Sequence, residues 1–186
     1  MLKGLVFLWT IIMLFSCHNE PKQLSEEEIA SFLILGDSMA TEAQTVLMKN
    51  VAAAIQKGGT DYAVEFCNTR AIPLTDSIAG HLDVGIQRLS DKNRNPDNVI
   101  QTPMDSKAWQ KIQSEKMHVL EQDDKGEVFY YKPISIAMPT CLNCHGGNND
   151  ITESTREIIA QKYPNDKAIG YKLGDLRGMW KIHLTQ

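Results

Sequence analysis

Residues 128–147 read VFYYKPISIAMPTCLNCHGG. Between Val128 and Met138, Phe129, Tyr130, Tyr131, Ile134 and Ile136 supply the aromatic and branched side chains that suit a pleated strand. The run is expected to lead straight into Pro139 and the motif Cys141-Leu142-Asn143-Cys144-His145. Upstream, Ser25 followed by Glu26, Glu27 and Glu28 forms a capping box with an acidic first turn. Ile29, Phe32, Leu33, Met39, Ala40, Ala43, Val46, Leu47, Val51, Ala54 and Ile55 then keep helical spacing until Gly58-Gly59, where helix propensity collapses. A second helix is expected from Thr60 or Asp61, with Ala63, Phe66, Cys67, Ala71 and Leu74 on its apolar side, and Pro73 is expected to break or restart it.

Val84, Ile86 and Arg88 to Leu89 read as a short strand, and Asn93 to Asn98 as a turn. The spacing of Trp109, Ile112, Met117 and Leu120 predicts a helix over 105–122, closed by the turn Asp123-Asp124-Lys125-Gly126. Ile151 to Tyr163 reads as a shorter helix and Met179 to Leu184 as a last strand. No internal repeat or low-complexity stretch interrupts the chain. Helices gathered before and between strands, without regular strand-helix alternation, give an α+β class with an antiparallel sheet.

The CLNCH spacing is that of haem c attachment, with the Cys141 and Cys144 thiols on the porphyrin vinyl groups and His145 on the iron. A thioredoxin-like redox pair and a zinc site recruiting Cys67 use the same residues. The redox pair has no use for His145, and zinc normally shows a second close pair that this chain lacks. Gly146-Gly147 relieves backbone crowding where the chain leaves the ligand. A sixth iron ligand has to come from Cys67, His81, His118, His183 or a methionine among Met48, Met104, Met117, Met138 and Met179, and spacing does not choose among them.

The chain opens MLKGLVFLWTIIMLFSC, with Lys3 ahead of an apolar run from Leu5 to Phe15, which is the pattern of a secretory signal. Eleven residues are too few to cross a hydrocarbon layer of about 30 Å as a helix. Leu14-Phe15-Ser16-Cys17 resembles a bacterial lipobox, so residues 1–16 are expected to be removed and Cys17 lipidated. Residues 17–28 then form a lipidated tether, and 29–186 one haem domain. Such a protein is anchored to a membrane and does not span it. His18 at the second mature position, by resemblance to known sorting rules, favours the outer membrane facing the periplasm.

Among the 186 residues, 19 Lys and Arg mix with 23 Asp and Glu for a net charge of -4, so no basic face for nucleic acid is visible. Of four cysteines, Cys17 goes to lipid and Cys141 with Cys144 to the motif. Cys67 is left as an odd thiol in an oxidising compartment, where something has to use or hide it.

AVEFCNTRA, RLSDKNRNPDN, MPTCLNCHG and YKLGDLRG, in that order, resemble the PAS-like single-haem c-type family, often labelled only as a domain of unknown function. The resemblance runs from about the long helix to the C-terminus. It implies a PAS-like fold and an iron held by His145 and the Cys67 thiolate. Arg88, Lys92 and Arg94, in the basic motif, are then candidates to pair with haem propionates. The last strand, MWKIHL, departs from the pattern with bulky Trp180. Asp175 and Arg177 read as a structural turn and its ion pair. These implications add up to a lipid-anchored redox or small-ligand sensor, or an accessory electron carrier, acting with a separate redox or signalling partner. The rivals are a peroxidase-type enzyme using His81 or His118 as a distal base, and a zinc module.

Overall fold

A computed structural model describes residues 22–115 and 117–184. The signal segment, the lipidation candidate Cys17 and the first part of the tether lie outside the described residues. The described chain begins with a long helix, α1 (Glu26–Leu82), and the capping box expected at its start is formed. Ser25 accepts from the Glu28 amide, and the Glu28 carboxylate accepts from the Ser25 amide. Gly58 and Gly59 leave helical geometry, Gly59 at φ 73, so α1 consists of two helical segments joined at the predicted place.

Pro73 does not break the second segment, contrary to expectation. Ala71, Thr75 and Ile78 are buried around it, and their packing outweighs the local cost of a missing N–H. Asp83, in the left-handed region at φ 54, ends the helix.

Four strands follow in an antiparallel sheet of order β1-β4-β3-β2: β1 (Gly85–Leu89), β2 (Val119–Gln122), β3 (Val128–Ser135) and β4 (Leu176–His183). Among the described residues there are three further α-helices, α2 (Pro103–Glu115), α3 (Pro139–His145) and α4 (Glu153–Lys162), and a short 3-10 turn at Pro96–Asn98. The helix expected over 105–122 is therefore two elements. It stops at Glu115, and Val119 to Gln122 pairs with β3, so the turn at Asp123 to Gly126 closes a hairpin and not a helix. The expected strand over 128–138 also ends early, at Ser135, and CLNCH sits on α3.

Both faces of the sheet are covered. On one, Ala40, Ala43 and Ile78 of α1 pack on Ile86, Tyr130, Trp180 and Ile182. On the other, Ala108, Trp109 and Ile112 of α2 pack on Leu89, Val119, Tyr131 and Met179. Tyr130 and Tyr131 are adjacent in β3, point to opposite faces and are each fully buried. At roughly 200 Å² per aromatic ring, each contributes a gross burial term of about 5 kcal/mol. Small residues on α1 permit the close approach: a Cβ at Gly36 would collide with the Tyr130 ring. Bulky Trp180 is accommodated in the same layer, its indole N–H donating to Gln44 at 3.2 Å.

No helix among the described residues is long and apolar enough to cross a membrane.

Candidate functional site

Helix α3 places Cys141 and Cys144 three residues apart, on neighbouring positions of one helical face, and ends on His145. Gly146 follows because nothing larger fits. A Cβ there would stand 2.6 Å from Asp150 and 2.7 Å from the Leu142 carbonyl. The next turn is closed by Asp150, whose carboxylate takes the Gly147 amide at 2.8 Å.

His145 is held from outside its helix. Its Nδ1 lies 2.8 Å from the Ala168 carbonyl, its ring meets Tyr171 edge-on, and its backbone carbonyl takes the Tyr171 amide at 3.0 Å. A carbonyl can only accept, so Nδ1 carries the proton and Nε2 is left with a lone pair. Burial, with the charges of Arg177 and Arg94, pushes His145 well below the usual histidine value, the Ala168 bond acting against them. The ring is therefore neutral at neutral pH, the form and tautomer in which imidazole ligates metals.

Cys67 comes from the second segment of α1, next to Val64, which packs with Ile151, Ile159, Tyr163 and Cys144. Cys67 and Cys144 are close enough to influence one another electrostatically. Burial raises the Cys67 thiol while Arg88 and Arg94 pull it down, and burial raises Cys144 to about 11. Cys67, Cys141 and Cys144 are all unpaired thiols.

The three basic residues of the RLSDKNRNPDN motif are placed differently. Arg94 is a buried clamp: its Nη2 donates to the Cys144 carbonyl at 2.7 Å, to Asp166 at 3.0 Å and to the Ala168 carbonyl at 3.3 Å. Arg88 lies over the Trp180 ring, 5.8 Å from its centroid, with its charge felt by Cys67 and Tyr163. Lys92 reaches the Ile169 carbonyl at 2.8 Å and covers the Tyr171 ring.

Arg177 belongs to the same cluster and was not expected there. Its Nη1 donates to the Ser90 hydroxyl at 3.2 Å and to the Lys92 carbonyl at 3.3 Å, and its guanidinium stacks near Tyr171. The expected ion pair with Asp175 is not formed, because Asp175 accepts the Lys172 amide instead. The register of β3 on β4 explains the difference: Ile134 faces Gly178 and Ser135 faces Leu176, so Arg177 is the extra residue of a bulge that re-aims its side chain.

Arg88, Arg94 and Arg177 thus converge around the α3 helix with one buried carboxylate, Asp166, among them. The Nε groups of Arg94 and Arg177 are buried with no acceptor among the described residues. A site with surplus guanidinium charge and orphaned donors suits an anionic ligand.

Met138 is the N-cap of α3, and the other candidate ligands lie outside α3. His81 is exposed on the last turn of α1, His118 stacks on Tyr130, His183 lies against Glu127, and Met179 is sealed in the α2 layer. Met117 and Met138 are exposed, while Met48 and Met104 are half-buried. Among the described residues no group of three or more His, Cys, Asp or Glu is arranged to hold a metal ion.

Residues 30–185 match the Tll0287-like family, so the chain belongs to that family. Among solved structures it is similar to the crystal structure of the cyanobacterial heme-protein Tll0287, at 23% identity and TM-score 0.64, over 88% of this chain and 98% of that one. At that identity the likeness establishes a shared α+β fold. No curated protein matches the chain.

Proposed function

We propose that this protein binds one haem, attached through Cys141 and Cys144, with His145 as one axial ligand and the Cys67 thiolate as the other. The observation that carries the reading is His145, neutral and fixed through Nδ1 on Ala168, so that Nε2 is free for iron at the end of the helix bearing both thiols. Similarity to a solved haem protein of the same fold agrees with it. The orphaned Nε groups of Arg94 and Arg177, with Arg88 and Lys92, are suited to carboxylates such as the two haem propionates. A bound iron porphyrin supplies one-electron chemistry and axial coordination, and thiolate ligation favours the ferric state.

In this reading the fold is PAS-like and the protein acts as a redox or small-ligand sensor or an accessory electron carrier. It is held on the periplasmic side of a membrane, the outer membrane by its His18, through lipid on Cys17. An enzyme of peroxidase type has less behind it, since neither His81 nor His118 stands beside the α3 helix. Expression with a c-type maturation system tests the central point. One haem should stay with the polypeptide through denaturation and acid extraction, and Cys141→Ala with Cys144→Ala should abolish that attachment. Tight zinc with no haem would overturn it.

A further inference from the structure

Arg94 stands where two parts of the chain meet at His145. The Cys144 carbonyl, whose peptide bond continues into the His145 backbone, accepts from Arg94 Nη2 at 2.7 Å. The Ala168 carbonyl, to which the His145 ring donates from Nδ1 at 2.8 Å, accepts from the same Nη2 at 3.3 Å. Asp166 is the third acceptor, at 3.0 Å. Nη2 carries two hydrogens for these three acceptors, so they are shared. The Ala168 oxygen nevertheless has two donors, an imidazole N–H and the edge of a cation. Both side chains of the Arg94–Asp166 pair are nearly buried, so water screens that cation little.

The loop that carries Ala168 has ties besides Arg94. Asp166 accepts the Ala168 amide at 2.8 Å, and the Lys167 amide donates to the Asn93 carbonyl at 3.2 Å. The Gly170 and Tyr171 amides donate to the Gly146 and His145 carbonyls at 2.8 and 3.0 Å, and the Tyr171 ring meets the His145 ring edge-on. His145 therefore keeps its acceptor within reach when the guanidinium is removed. What Arg94 adds is competition for the acceptor oxygen. Its Nε takes no part in these bonds and stays unpaired, so it remains for the anionic group of the haem reading.

A carbonyl oxygen divides its electron density between the donors it serves. With Arg94 in place, the Ala168 oxygen pulls less on the Nδ1 proton, and the imidazole is a weaker base at Nε2. Freed of Arg94, the same oxygen makes His145 a stronger axial donor. A stronger donor favours ferric iron, and hydrogen bonding behind the axial ligand is one of the levers a protein has on a haem potential.

We infer that Arg94 is a positioning residue for His145: by donating to the Ala168 carbonyl it holds the imidazole back from imidazolate character and keeps the reduction potential of the bound haem higher than His145 alone would set it. The inference rests on the haem reading above.

The test uses the haem-loaded protein, with Arg94→Lys and Arg94→Met compared by redox titration and by electron paramagnetic resonance of the ferric state. Lysine keeps the charge beside Asp166, but its side chain is shorter and lacks the planar fork, so its ammonium ends short of the Nη2 position. In both variants the ferric-to-ferrous ratio at a fixed potential should rise about tenfold, a fall in midpoint of 59 mV for a one-electron couple. The spread of the three ferric g values should narrow in both, because it follows axial donor strength. A midpoint in Arg94→Lys equal to that of the unaltered protein would overturn the inference, since charge alone would then account for the effect. So would a midpoint that falls in Arg94→Met with the g values unchanged. Should Arg94→Met fail to fold, Arg94→Lys decides alone. Absence of haem from the denatured, unaltered polypeptide defeats the haem reading instead, and that failure is seen before any titration begins.

Discussion

Replacing Arg94 by Met should destabilise the protein whether or not anything occupies the site. One nitrogen of Arg94 joins the turn after β1, the carbonyl of Cys144 and the 166–168 loop that holds His145. The ion pair with Asp166 is 3.0 Å long, and the two side chains are only 9% and 7% exposed. Met keeps the aliphatic stem but strands the Asp166 carboxylate, whose remaining bond is from the Ala168 amide at 2.8 Å. Breaking a buried pair by removing one partner costs about 3–5 kcal/mol, because the other charge is left uncompensated. In a domain of this size that corresponds to a fall in Tm of roughly 6–20 °C. Urea denaturation of Arg94→Met, Asp166→Asn and the double variant would measure it, and the double variant should cost at least about 1 kcal/mol less than the sum of the single ones. A loss below about 1 kcal/mol for Arg94→Met, additive with Asp166→Asn, would show that Arg94 is not a structural clamp.

Acid should destabilise the fold through Asp105 and Glu121. Burial raises the Asp105 carboxyl, yet Lys181 at 2.8 Å, Thr102 and the Tyr131 hydroxyl at 2.8 Å outweigh it, so the folded value lies below the ordinary 3.8. Glu121 behaves alike, with burial overcome by Lys107 at 2.7 Å and Lys111 at 2.6 Å, below an ordinary 4.5. A carboxyl depressed in the folded state stabilises fully above its unfolded value, and that contribution is lost as pH falls through the folded one. Stability should therefore decline below about pH 4.5, less steeply in Asp105→Asn, and equal slopes in denaturation profiles would contradict the assignment. At Cys67, replacement by Ser should retain covalent haem but change the ferric absorption spectrum, whereas simple packing predicts an unchanged spectrum and a stability loss of roughly 1–3 kcal/mol.

The amphipathic pattern of α1, the glycine break at its middle and the strand before the cysteine motif were all legible in the sequence, since each rests on a local periodicity. Two elements were misread where one local signal serves two structures. Leu120 continues the helical spacing of Trp109 and Ile112, and a turn such as Asp123 to Gly126 can close either a helix or a hairpin. Pairing with β3 decides for the hairpin, and pairing is non-local. The same limit hid Arg177, which enters the site through a bulge visible only in the register of β3 on β4. Arg94 was singled out for its charge in the basic motif, but its buried partner Asp166 is 72 residues away and no spacing announces it.

The break at Gly58-Gly59 is what lets one helix serve two layers. Before it, Ala40 and Ala43 press α1 onto the sheet. After it, the Thr60 hydroxyl lies 2.6 Å from that of Thr155, which is fully buried and also donates to Asp61. Thr155 in turn accepts from Thr152, the N-cap of α4, at 2.8 Å. The second segment of α1 is thereby fixed to the start of α4 at its first turn, and Val64 packs on Ile151, Ile159 and Tyr163 one turn later. Cys67 follows three residues on, along the same side of the helix. Since only the short stretch from Gly146 to Thr152 separates α4 from α3, the hydroxyl cluster sets the position of Cys67 relative to Cys144 and His145. A straight helix through 58–59 could not satisfy both contacts, so the glycine pair places the odd thiol beside the CLNCH motif although 73 residues of chain lie between Cys67 and Cys141.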